Sequence, residues 1–103
     1  MGTILNVIQE EYERLQNADA AYRKIIESLP AGAPTIRTQN SKKYLYLKRR
    51  EGDKVVQKYV APVGTAKAEE VLEQVKKRNR YRELLKQIKS DMLEAKKALH
   101  GRV

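Results

Sequence analysis

The sequence predicts an α+β protein that is mainly helical. Two long, antiparallel, coiled-coil-like helices flank a single β-hairpin, and all 103 residues form one domain. Three observations carry this. Both ends of the chain show heptad-spaced apolar seams, the middle holds two short alternating runs about a glycine, and proline–glycine stretches separate these regions.

The first helix is expected over residues 3–29. Ile8, Leu15, Tyr22 and Leu29 occupy one seam position, and Ile4, Glu11, Ala18 and Ile25 the other. Only Glu11 breaks the apolar rule. Pro30 ends the helix, because the residue before a proline is pushed out of the α region. Residues 30–42, "PAGAPTIRTQNSK", read as a loop with two prolines, a glycine and no period. Next comes "KKYLYLKRREGDKVVQKYV". Its halves alternate like strands, and "EGD" supplies a turn, giving a hairpin over 43–60 with strands near 43–50 and 54–60. Its register is open by one residue, so neither face is assigned.

Thr65 is a candidate N-cap for a second helix over 66–99, with Glu69 and Glu70 near the helix's positive end. Val71, Arg78, Leu85, Met92 and Leu99 hold one seam position; Gln74, Tyr81, Ile88 and Ala95 hold the other. Gly101 reads as the helix stop. An antiparallel alignment sets Tyr22 by Tyr81, Ala18 by Leu85, Leu15 by Ile88 and Ile8 by Ala95, with the hairpin capping the joined end. Beside the seams lie Leu5, Val7, Tyr12 and Ile26 in the first helix, and Leu72, Val75, Leu84 and Leu93 in the second. One partner helix does not cover so wide an apolar face, which points to a homodimer through a four-helix bundle. The alternative is a monomer with exposed leucines.

The net charge is +9. Residues 1–30 carry three basic and five acidic side chains, 31–60 eight and two, and 61–103 eleven and six. An electrostatic surface therefore belongs to the middle and the last third. Such an excess favours polyanions, whether nucleic acid or an acidic protein or nucleoprotein. There is no cysteine, which excludes disulfides and thiolate metal sites and fits a cytoplasmic setting. No apolar run approaches the ~20 residues of a membrane span, and "MGTILNVIQEEYERL" lacks the basic start of a secretory signal.

Catalysis finds little footing. His100 is the only histidine and sits near a terminus, so no His-based triad or His-rich metal site is available, and there is no glycine-rich phosphate loop. The expectation is a non-enzymatic protein without metal or cofactor. The binding candidates are of two kinds. In the hairpin, Arg49, Arg50 and Lys54 are placed for phosphates, and Tyr44 and Tyr46 for stacking on unpaired bases. In the second helix, "KKRNRYR" puts Lys76, Lys77, Arg80 and Arg82 within two turns for backbone contacts. The competing reading makes the tyrosines core and the lysines a solvated edge that discourages strand pairing. A protein-interaction module, gripping an acidic protein or nucleoprotein complex as inhibitor or assembly factor, is the second functional class.

The order helix, "YLYLKRREGDKVVQKYV", helix, with "VLEQVKKRNRYRELLKQIK" in the second helix, resembles an uncharacterised family of small bacterial proteins. These have an aromatic hairpin of the type Y-Y-L-x-x-R-x-G-G-K-x-x-x-x-Y-V and a long helix with an Asn-Arg-Tyr-like segment. The resemblance covers about residues 25–95 and extends to transposase-associated proteins, which implies a mobile-element setting and no activity. Some relatives have a cysteine-rich run before the hairpin. Here that place reads "TIRTQNSK", so no metal role carries over.

Overall fold

The structure, a computed structural model, describes residues 3–100. In chain order the elements are α1 (Thr3–Ser28), β1 (Ala33–Gln39), β2 (Lys42–Glu51), β3 (Lys54–Pro62) and α2 (Ala66–Leu99). The mainly helical α+β class is as predicted, and both helices end within a residue of expectation. The expected stop at Gly101 lies outside the described residues.

The sheet holds one strand more than the predicted hairpin. Residues 33–39, expected as loop, form β1, which pairs antiparallel with β2 from Ala33↔Lys48 to Gln39↔Lys42. The turn between them is Asn40-Ser41, both in the left-handed region (φ 52° and 67°), as a two-residue primed hairpin turn requires. Pro34 is tolerated because β1 is an edge strand, where a missing N–H need not break a ladder. The predicted hairpin follows: Gly52, at φ 61°, turns the chain between β2 and β3. A bulge between Leu45 and Tyr46 leaves Leu45 opposite Ala61 and Tyr46 opposite Tyr59.

The chain divides into two compact units. The sheet unit spans Glu27–Asn79 and so includes the first turns of α2. Its core is Leu45, Leu47 and Ala61 of the sheet against Ala68, Val71 and Val75 of α2, with Val60 and Leu72 at its margin. Leu45 and Ala68 are each only 1% exposed. Fully burying each leucine contributes about 1.5–3 kcal/mol. The seam predicted for this part of α2 shifts by a residue: Val75 is buried where Gln74 was expected, because these turns pack on a sheet rather than on one helix. Thr65 caps the helix as predicted, its Oγ1 accepting from the Ala68 N–H at 3.3 Å.

In the helix unit, α1 up to Ile26 runs antiparallel to α2 from Arg80. Tyr22 and Tyr81 meet edge to face, with ring centroids 5.2 Å apart, as the heptad alignment predicts. Leu15 and Ile88 are the buried residues of this unit. Ile8 lies across from Ala95 along an open groove of about 430 Å³ that Glu11 also lines. Glu11 breaks the seam without being buried there. Its carboxylate takes the Arg14 guanidinium, and that hydrogen bond holds the carboxyl below its ordinary range. Of the apolar residues beside the seams, Leu5, Val7, Leu84 and Leu93 remain exposed, and Ile4, expected on a seam position, is 77% exposed instead.

Candidate nucleic-acid interface

Side chains alternate across a strand, so Leu45 and Leu47 enter the core while Tyr44, Tyr46, Lys48 and Arg50 face the other way. The register sets Arg37 of β1 beside Tyr44, and Tyr59 of β3 beside Tyr46. The tyrosines cluster. Tyr46 and Tyr59 have centroids 5.4 Å apart at 64°, and Tyr44 and Tyr59 6.2 Å apart at 58°. The Arg37 guanidinium sits 5.3 Å from the Tyr46 ring centroid, a cation–π distance. Arg37 also reaches across β2 and donates to Gln57 Oε1 on β3 at 3.4 Å. One surface thus draws aromatic rings and cations from all three strands.

By the same alternation, the strand residues of this face include Arg37, Lys42, Lys48 and Arg50 but no carboxylate. Glu51 belongs to the opposite face, where it pairs with Arg49. Tyr59 is 49% exposed, so its ring is open to a ligand, whereas Tyr44 and Tyr46 are half-buried among their neighbours.

The site residues expected from sequence fall into separate places. Tyr44, Tyr46 and Arg50 share the tyrosine face. Arg49 and Lys54 lie on the helix-side face, Arg49 next along from Leu47 and Lys54 opposite Glu51. Lys76 and Lys77 are exposed on α2, Lys76 3.5 Å from Glu73. Since α2 packs on the Leu45–Leu47 side, these two lysines lie across the sheet from the tyrosines. Arg80 and Arg82 are exposed in the helix unit. From sequence, Lys48 and Tyr59 count among the hairpin's basic and aromatic residues but are not singled out as site residues, and Arg37 is not included at all. Arg37 was out of reach because its strand was read as loop; Lys48 and Tyr59 needed a register.

Arg78, inside the basic run, has a different role. It is 4% exposed, and its Nη1 donates to the carbonyls of both Pro30 and Gly32 at 2.8 Å, while Nη2 donates to Asn79 Oδ1 at 3.1 Å. It ties the entry of β1 to α2. Gly32 has φ 108°, and a Cβ there would meet the Lys48 carbonyl oxygen at 3.1 Å and Leu47 Cβ at 3.3 Å. Glycine is required for both reasons.

Among the described residues no group of three or more His, Asp or Glu side chains is placed to hold a metal ion, and no helix is long and apolar enough to cross a membrane.

The fold and this surface define a mainly helical α+β protein with a basic, tyrosine-bearing antiparallel sheet. The chain belongs to the family described as "Domain of unknown function (DUF6788)", which matches residues 3–72. The match contains the whole sheet and ends early in α2, before "KKRNRYR". It agrees with the expected uncharacterised family and carries nothing that bears on transposases. No curated protein and no solved structure matches the chain.

Proposed function

We propose that this protein is a non-enzymatic nucleic-acid-binding or accessory protein, acting through the solvent face of its sheet. The observation that carries the reading is the joining of a tyrosine cluster to a strand face with four cations and no carboxylate. Cations alone suit any acidic partner. Aromatic rings among them favour a ligand with both phosphates and flat π-surfaces.

The face supplies its own control, because β2 presents basic residues on both sides. Arg37→Glu with Arg50→Glu should flatten the slope of log affinity against log salt by about one to two units, at roughly 0.7–0.9 per phosphate contact. Arg49→Glu with Lys58→Glu removes the same charge from the helix-side face and should leave most of the slope. All four positions are exposed, and circular dichroism of each variant checks that the fold is kept. Equal losses from the two pairs mean diffuse attraction with no site, and the protein-interaction reading then takes first place.

A second reading concerns assembly. Ile4, Leu5, Val7, Leu84 and Leu93 are all more than 40% exposed in the helix unit. These exposed side chains, on both flanks of the helix pair, support self-association into a homodimer.

A further inference from the structure

We infer that the tyrosine face takes single-stranded rather than duplex nucleic acid, one nucleotide seating its phosphate beside Arg37. The inference rests on the nucleic-acid reading and narrows its ligand. In a duplex both faces of every base are covered by stacking, so a ring on the protein surface gains nothing from them. Only an unpaired base can lie on Tyr59, the most open ring of the cluster.

Shape argues the same way. A two-stranded ribbon can enter the major groove, and a bare hairpin would have met that requirement. Here β1 pairs with β2 as far as Lys48, so most of the face is three strands wide. The outer strands lie about 10 Å apart before side chains are added, against a groove about 12 Å wide. A duplex therefore meets this face only through its outer phosphates. A single strand can lie along it. From Tyr44 to Arg50 the strand runs roughly 20 Å, the length of about six stacked nucleotides or fewer splayed ones.

Beside the rings is a hollow of about 180 Å³ lined by Arg37, Thr38, Gln39 and Tyr46. The Arg37 guanidinium and the Gln39 amide lie on the tyrosine side of β1 and the lining contains no carboxylate, which is the chemistry of a phosphate seat. The Arg37 guanidinium lines the hollow and lies 5.3 Å from the Tyr46 ring centroid, placed to hold a phosphate while the adjoining base stacks on the tyrosines.

The test is fluorescence anisotropy with labelled single-stranded DNA and RNA dodecamers and the matching duplex, at about 150 mM salt. Intrinsic tyrosine emission is followed alongside; the chain has no tryptophan to obscure it. Single strands should bind at least about tenfold tighter than duplex and quench tyrosine emission. Tyr59→Ala should lose about 5- to 150-fold for single strands, the effect of one stacked base, and little for duplex. Tyr59→Phe keeps the ring and should keep the affinity. Arg37→Gln should weaken single-strand binding with the tyrosine quench retained. Equal or tighter duplex binding, untouched by Tyr59→Ala, overturns this inference and leaves the nucleic-acid reading standing. Binding to neither ligand overturns both.

Discussion

Replacing Arg78 by methionine separates structure from binding within the basic run. The guanidinium makes two hydrogen bonds of 2.8 Å to the carbonyls of Pro30 and Gly32 and is 4% exposed. A hydrogen bond to a charged group contributes about 1.5–3 kcal/mol, so the pair sets an upper range of about 3–6 kcal/mol. Methionine relieves the cost of burying the cation, which offsets part of that. The two bonds also share one side chain and do not add fully. A net loss of about 3 kcal/mol is expected. For a chain of this size that lowers Tm by roughly 12–24 °C. Urea unfolding should show the loss as a fall in midpoint at nearly constant slope. Arg78→Lys keeps the charge but lacks the second nitrogen, which donates to Asn79 Oδ1 while Nη1 holds both carbonyls, and should recover only part of the stability. At a temperature where the variant is folded, the salt slope for nucleic acid should be unchanged. A loss below about 1 kcal/mol with a slope smaller by about one unit would place this guanidinium on a phosphate and refute the argument.

Three further outcomes are expected. Ser41→Gly relieves a left-handed residue in the β1–β2 turn and should stabilise the fold by about 0.5–1 kcal/mol in thermal unfolding. Gly32→Ala, with φ 108° and close contacts to Lys48 and Leu47, should destabilise by at least about 1–3 kcal/mol; a neutral result would mean that the entry to β1 is looser than its geometry. Sedimentation at micromolar concentration should show a dimer, and Leu5→Glu with Leu93→Glu should return it to monomer; a wild-type monomer at the highest soluble concentration rejects self-association.

The helices were legible because their signals are local and repeated. Heptads at Ile8, Leu15 and Tyr22 and at Tyr81, Ile88 and Ala95 allowed even the Tyr22–Tyr81 contact to be read in advance. The β2–β3 hairpin was legible from Gly52. β1 was not. Its turn is Asn-Ser rather than Asn-Gly, Pro34 reads as a breaker, and its exposed residues give no apolar alternation. Losing β1 also hid Arg37. The faces of the hairpin stay open in the sequence for a related reason: with Tyr44, Leu45, Tyr46 and Leu47 in a row, either parity reads as a buried face, and only the helix packing chooses Leu45 and Leu47. The heptad places Arg78 on the seam of α2, apart from Lys77 and Arg80, but nothing local names its partners. Its partners are the carbonyls of Pro30 and Gly32, 48 and 46 residues away.

The most direct test of the sheet face is a chemical-shift titration of the labelled protein with a single-stranded oligonucleotide. Saturable shifts should concentrate at Arg37, Tyr44, Tyr46, Lys48 and Tyr59, with the Tyr59 ring protons moving most. Residues of the opposite face, Arg49 and Lys58, and the α2 lysines Lys76 and Lys77 should move little. Shifts centred on Lys76, Lys77, Arg80 and Arg82, or spread evenly over the basic residues with the tyrosine rings unmoved, would contradict the account.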